Sequence, residues 1–237
     1  MKPILFARCD AAETFGIAPH AVAAGGARVE IWDALNGAPR PEATDFAGIV
    51  MFGSSYNVEH ANDQPFIKEA RELTLGAIDR GVPYLGVCFG AQLLAWSLDA
   101  QVLKAPVREV GFEPIRPTDA ANTDPLLPHY EDGDHVFQWH MDTFDLPAGA
   151  VPIAAGDRVV NQAYRVGERT WGVQFHLEID RTELLLWLEE FGAQDDLGTT
   201  WGKSAEQVIG EADRYLPEHE RRGRQVFERF VRLASAP

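Results

Sequence analysis

The chain has 237 residues, 46% of them hydrophobic, with 21 Lys and Arg against 36 Asp and Glu and a formal net charge of −15. That supply of apolar side chains supports a sizeable core, excludes disorder for the bulk of the chain, and suits one globular domain or at most two small ones. The negative balance excludes nucleic acid and anionic membrane as expected partners, because phosphate binding needs clustered Lys and Arg to displace counterions.

In chain order, residues 3–7 and 28–32 read as strands, separated by a small-residue stretch, 11–24, with helical character. Residues 48–52 form a third strand. From Asp63 onward Phe66, Ala70, Leu73 and Ala77 recur at helical spacing beside Ile67, Thr74 and Ile78, with Asn62 or Asp63 as cap, Pro65 in the first turn and an end near Gly81. Residues 83–87 are a buried strand and 91–98 a short helix, with Cys88 at the junction. Beyond residue 100 shorter strands follow at 109–115, 136–139, 159–166 and 171–176, expected as an antiparallel extension of the same sheet. Helices at 182–190 (stopped by Gly192), 204–216 (opened by a Ser-x-x-Gln capping box) and 225–233 close the chain as a helical segment from about 180 to 237. The expectation is a single domain over 1–237: an α/β fold with an open, mostly parallel central sheet and helices on both faces. The stretch from 217 to 237 has five Arg and three Glu, so it carries +2 and the remainder −17. It reads as a solvated helix face whose Val226, Phe227, Phe230 and Leu233 pack either on the body or on a second subunit in a homodimer.

Cys9 and Cys88 are the two cysteines. They build neither a disulfide framework nor a thiolate metal knuckle, and the cytoplasm is the expected compartment. The apolar run before Arg8 and Asp10 is too short for a signal peptide. Residues 81–98 carry no charge and reach the length of a spanning helix, but Pro83, Gly86, Gly90 and Gln92 divide them into strand, turn and helix.

Gly86-Val87-Cys88-Phe89-Gly90 places a thiol between strand and helix with glycine two residues to either side, the spacing of a nucleophile elbow. A nucleophile held on a strained turn leaves no room for flanking side chains, and the start of a helix favours a thiolate through its unpaired N–H groups and dipole. The same pattern also suits an inert core cysteine in a glycine-rich turn, so a base has to be found. Trp171 to Glu178 supplies one. In an extended segment His176 and Glu178 share a face, roughly 7 Å apart along the strand, so a carboxylate can orient the imidazole. Taken alone, that pair also fits an exposed polar strand end. His135, His140 and Asp142 are metal-ligand types, but strand alternation separates His135 from the other two, which are better read as pocket wall. Cys9 reads as a core thiol.

A Cys elbow followed much later by His-x-Glu resembles the class I glutamine amidotransferases over about residues 46–180, most closely the stand-alone members similar to the amidotransferase half of GMP synthase. The resemblance rests on Gly53-Ser54-Ser55-Tyr56-Asn57-Val58, Gly86-Val87-Cys88-Phe89-Gly90-Ala91-Gln92, Trp139-His140-Met141-Asp142 and Val173-Gln174-Phe175-His176-Leu177-Glu178. It implies a flavodoxin-like core, Cys88 as nucleophile, His176 as general base and acid, and Glu178 as third triad member. It also implies an oxyanion hole from the backbone N–H groups of Ser54 and Phe89, and a substrate end held by Gly53, Gln92, Met141 and Asp142.

Leu177, Ser54 and Met141 stand where the family has Pro, Gly and Gly. Leu177 leaves the triad intact, Ser54 keeps its N–H but brings a side chain toward the oxyanion site, and Met141 reshapes the substrate-end pocket. The implied reaction cleaves the γ-amide of glutamine through a γ-glutamyl thioester and uses no metal or cofactor. The chain holds no phosphate-binding Gly-rich loop with Lys, so the ammonia passes to an unknown acceptor, in one case on a separate synthetase protein, or is released. Two other readings stay open: a γ-glutamyl peptide or amide hydrolase with the same triad, and a fold kept for binding without turnover.

Overall fold

The computed structural model describes residues 2–192 and 197–236, so Met1, 193–196 and Pro237 lie outside the described residues. Among the described residues nine strands form one sheet in the order β2-β1-β3-β4-β9-β8-β7-β5-β6. The strands are β1 Ile4–Arg8, β2 Val29–Asp33, β3 Gly48–Met51, β4 Tyr84–Val87, β5 Val102–Pro117, β6 Asp134–Phe144, β7 Val151–Gly156, β8 Asn161–Val166 and β9 Thr170–Val173. The first five in spatial order pair in parallel, and from β9 onward the pairing turns antiparallel. Strands β3, β4 and β9 are buried at every residue, as a parallel sheet covered on both faces requires.

The helices are α1 Ala18–Ala24, α2 Pro65–Asp79, α3 Phe89–Ser97, α4 Arg181–Glu190, α5 Leu197–Trp201 and α6 Ala205–Ser235. Helix α2 buries Phe66, Ile67, Ala70, Leu73, Thr74 and Ala77 on one face beside α3, and ends where Gly81 turns at φ +65°. On the opposite face α1 and the second half of α6 cover the sheet through Val22, Val226, Phe227 and Phe230. A third cluster, with Phe112, Phe137, Leu184, Trp187 and Trp201, sits between β5, β6 and helices α4 to α6. Among the described residues no helix is long and apolar enough to cross a membrane.

Several boundaries differ from the sequence reading. Only Ala18–Ala24 of the 11–24 stretch is helical, because Phe15 and Gly16 take φ of +67° and +41° and break the run. Helix α3 begins at Phe89, directly after Cys88. The strands expected at 109–115 and 136–139 are the middles of the longer β5 and β6; Pro106, Pro114 and Pro117 suggest breaks there, but the register shift between Lys104 and Glu109 absorbs the disturbance. Strand β7, unforeseen, contains Pro152 at an irregular register with β8. The helices expected at 204–216 and 225–233 are one helix running through Pro217. An interior proline costs about 3 kcal/mol, which burial of Leu216, His219, Val226, Phe227 and Phe230 along the same helix offsets. Its start is capped reciprocally, Ser204 Oγ accepting from the Gln207 N–H at 3.3 Å and Gln207 Oε1 from the Ser204 N–H at 2.8 Å.

The topology prepares a site. Strands β4 and β9 lie side by side in parallel with Val87 opposite Val173, and the Cys88 N–H donates to the Val173 carbonyl at 2.8 Å. Residues that follow the carboxyl ends of both strands therefore emerge together, the position where open parallel sheets receive ligands.

Candidate active site

Cys88 sits at φ +51°, ψ −106°, a backbone conformation that L-residues avoid. The glycines beside it have steric causes: a Cβ on Gly86 would lie 2.3 Å from the Gly90 carbonyl oxygen, and one on Gly90 would lie 2.1 Å from that of Met51. The turn aims the thiol away from the sheet at the first turn of α3. The Gln174 side-chain amide donates toward Sγ at 3.7 Å, and is itself held by Gln92 Nε2 donating to Gln174 Oε1 at 3.2 Å.

The segment 174–180 is irregular rather than the extended strand expected for 171–176, since β9 stops at Val173. Its bends bring the imidazole and the acid closer than strand geometry allows. His176 Nδ1 donates to Glu178 Oε1 at 2.7 Å, and the ring and the Cys88 side chain both border the space beside Gly53 and line the same cavity. A Cβ on Gly53 would lie 2.9 Å from His176 Cε1, so glycine there makes room for the ring. Burial by itself lowers the His176 pKa, but the neighbouring Glu178 and Cys88 overcome it and hold the imidazole well above its ordinary value.

Neighbours from distant segments hold this geometry. The His176 N–H donates to the Phe137 carbonyl on β6 at 2.9 Å, and His219 Nε2 on α6 donates to the His176 carbonyl at 2.7 Å. Burial pushes His219 down to about 4, so it is a neutral donor. Trp187 on α4 stands edge-on to the His176 ring, with centroids 4.7 Å apart. Two further carboxyl groups lie beside Glu178. Glu13 accepts from the Phe15 N–H at 2.6 Å, and Glu183 Oε1 accepts from Thr14 N–H at 2.8 Å and Thr14 Oγ1 at 3.0 Å. Burial, with the nearby Glu183 and Glu178 charges, raises Glu13 well above the carboxylate range; burial and Glu178 push Glu183 up to about 7. Glu13 and Glu183 therefore crowd the same buried region as Glu178, and both are pushed toward the neutral form.

Ser54 Oγ donates to the Cys9 carbonyl at 2.7 Å and accepts from Tyr56 N–H at 3.1 Å, which turns this side chain away from the site. The N–H groups of Ser54 and Phe89 donate to none of the described residues. Asp10, which the sequence reading passed over, orders this loop: Oδ2 accepts from Ser55 N–H and Oγ, and Oδ1 from Ala12 N–H. Gln92 Nε2 also donates to the Asp142 carbonyl at 3.2 Å, while the Asp142 carboxylate pairs with Lys104 Nζ at 2.9 Å. His140 is buried, with Nδ1 donating to the Asp142 carbonyl and Nε2 3.0 Å from Glu109 Oε2, so it props the chain at Asp142. His135 stacks on Tyr215 with centroids 4.0 Å apart, away from His140. Among the described residues no three His, Cys, Asp or Glu side chains are placed to hold a metal ion.

These groups line a cavity of about 260 Å³ that includes Asp10, Gly53, Ser54, Cys88, Gln92, Met141, Asp142 and His176. Cys9 lies outside it, fully buried, its sulfur 3.4 Å from Met51 Sδ, and burial with Glu13 and Asp10 nearby raises its thiol far above the ordinary range. Of the residues missed from sequence, Gln174 sits inside the His176 motif without being singled out, and Asp10, Glu13, Glu183, Trp187 and His219 carry no motif. The two glutamates sit in ordinary loop and helix contexts, and only the fold reveals that they are buried.

Residues 17–191 match the family described as glutamine amidotransferase class-I. The glutamine-hydrolyzing GMP synthase of Porphyromonas gingivalis is 36% identical over 138 residues, 57% of this chain and 26% of that protein; its Bacteroides fragilis counterpart is 33% identical over 138 residues, 57% of this chain and 25% of that protein. This chain thus spans about a quarter of the length of these curated relatives. Among solved structures, a glutamine amidotransferase from Methylobacillus flagellatus superposes with a TM-score of 0.88 at 24% identity, covering 98% of this chain and 95% of the other. One from Thermotoga maritima gives 0.85 at 23%, covering 99% and 98%. With three quarters of its length inside the family's bounds and the family's fold throughout, the chain belongs to the class I glutamine amidotransferases.

Proposed function

We propose that this protein hydrolyses the γ-amide of glutamine, with Cys88 as nucleophile, His176 as general base and acid, and Glu178 as the group that orients and charges the imidazole. One observation carries the reading: His176 lies beside the strained Cys88 over Gly53 in one cavity and pairs with the buried Glu178, with 2.7 Å between Nδ1 and the carboxylate. The raised His176 favours an imidazolium, a ready acid for the departing nitrogen.

The thiolate attacks the amide carbon, and the oxyanion takes the N–H groups of Ser54 and Phe89, each such donor being worth on the order of 3 kcal/mol. His176 protonates the departing nitrogen, ammonia leaves, and water activated by the same ring cleaves the γ-glutamyl thioester to glutamate. Gln92, Gly53 and the backbone at Met141 and Asp142 receive the amino-acid end, with Gln92 and His140 holding that backbone in place. The GMP synthases among the relatives are the basis for proposing that a synthetase protein takes the ammonia.

Purified protein incubated with glutamine should release glutamate and ammonia in equal amounts, and Cys88→Ala should abolish both. A glutamine-like diazo-ketone should label Cys88 and leave Cys9 untouched. Absence of glutamate release together with an unlabelled Cys88 would overturn the reading.

A further inference from the structure

The cavity around Cys88 has two unlike walls. One is polar, from Asp10, Ser54, Asn57, Gln92 and Asp142. The other is aromatic: Trp139, Trp187, Phe191 and Trp201, with the Met141 side chain at its edge. These rings mesh edge-on, Trp139 lying 6.2 Å from Trp187, 5.9 Å from Phe191 and 6.0 Å from Trp201 between centroids, and the Arg108 guanidinium backs Trp201 at 5.5 Å. Glutamine offers nothing to such a wall, since ammonia is its whole leaving group.

The stereochemistry of the proposed reaction says what reaches it. The tetrahedral carbon bonded to Cys88 Sγ carries three other arms. Its oxygen faces the N–H groups of Ser54 and Phe89, and its acyl chain runs toward Gln92 and Asp142. The nitrogen has to face His176, which gives it a proton. Any group on that nitrogen continues past the imidazole onto Trp187, whose ring is 4.7 Å from that of His176, and then onto Trp139, Phe191 and Trp201.

We infer that, beside glutamine, this site takes and prefers γ-glutamyl amides whose nitrogen bears an apolar, preferably aromatic, substituent seated against Trp139, Trp187, Phe191 and Trp201. The inference rests on the proposed hydrolysis and names its substrate class. The C–S bond to Cys88 forms and the C–N bond breaks as His176 protonates nitrogen, releasing the free amine. Water then adds to the thioester, its proton passing to His176, and the C–S bond breaks to give glutamate and the thiolate. Overall one amide and one water yield one glutamate and one amine.

The test compares glutamate release by the purified full chain from glutamine, γ-glutamyl ethylamide, γ-glutamyl benzylamide and γ-glutamyl putrescine. The expected order of kcat/KM is benzylamide, then ethylamide, then glutamine, with at least a tenfold span, since even one methylene in an apolar pocket is worth roughly 10- to 200-fold. Trp201→Ala and Phe191→Ala should lower the benzylamide-to-glutamine ratio toward one, mainly through KM for benzylamide. Glutamine hydrolysed as efficiently as benzylamide would overturn the inference and leave the triad reading standing. Preference for the cationic putrescine amide would also overturn it, because the acids rather than the rings would then be selecting. No release from any substrate, with Cys88 unlabelled, would overturn both.

Discussion

The proposed nucleophile and the proposed base are built in opposite ways. Around Cys88 the geometry is local: within five residues two glycines leave space for the close approach of backbone carbonyls, and β4 and α3 follow directly on either side. Around His176 it is assembled from afar, by Phe137 on β6, Trp187 on α4, His219 on α6 and Glu178 two residues on. A strained turn can be written into a short motif, whereas a buried hydrogen-bonded ring needs partners that only a packed core delivers.

The largest expected effect tests the local half: Cys88→Ala should lower glutamate release by about 10⁴-fold or more without lowering the melting temperature, measured by turnover and thermal unfolding. Thermal unfolding of glycine variants then breaks the comparison if it is wrong. Gly90→Ala places a Cβ 2.1 Å from the Met51 carbonyl oxygen, and Gly223→Ala places one 2.2 Å from that of Leu177, on α6 behind the His176 segment. Each should cost about 3 kcal/mol or more. If Gly223→Ala proved neutral, α6 would not be holding the His176 segment.

Two buried groups sharpen the comparison through pH, with opposite signs. His219 is depressed from 6.5 to about 4 in the folded chain, so stability is fully present above about 6.5 and is lost as pH falls toward 4, by up to about 3 kcal/mol. His219→Gln, which keeps a side-chain N–H for the His176 carbonyl, should remove that acid-side loss in urea titrations at pH 4 and 6.5. Glu183 is raised from 4.5 to about 7, so its contribution is present below about 4.5 and is lost as pH rises through 7. Glu183→Gln preserves an acceptor for Thr14 and should flatten the alkaline side; this is the smallest effect of the set, because Glu13, raised by the same burial, remains. An unchanged pH profile in Glu183→Gln would show that Glu183 is not held neutral by burial in the folded chain.

Much of the parallel half was legible in the residues. Buried aliphatic runs around Ile49, Leu85 and Trp171 mark strands, Pro65 and Gly81 bracket α2, and the Ser204 to Gln207 box starts α6 where expected. The prolines misled. Pro106, Pro114 and Pro152 hide the lengths of β5 and β7, and Pro217 divides on paper a helix that packing keeps whole. In each case the local penalty is a few kcal/mol and the burial along the element is larger.

From the linear order alone came the α/β alternation, the elbow at Cys88 and the pairing of His176 with Glu178 in one short run. These follow from short-range rules: side-chain periodicity, glycine's freedom at positive φ, and residue types suited to proton transfer. Only the folded molecule decided that β9 lies beside β4, that Glu13 and Glu183 are buried near Glu178 and raised by it, and that Trp139, Trp187, Phe191 and Trp201 line the cavity of His176. Desolvation and packing act between residues more than a hundred positions apart, and no local pattern records which of them will meet.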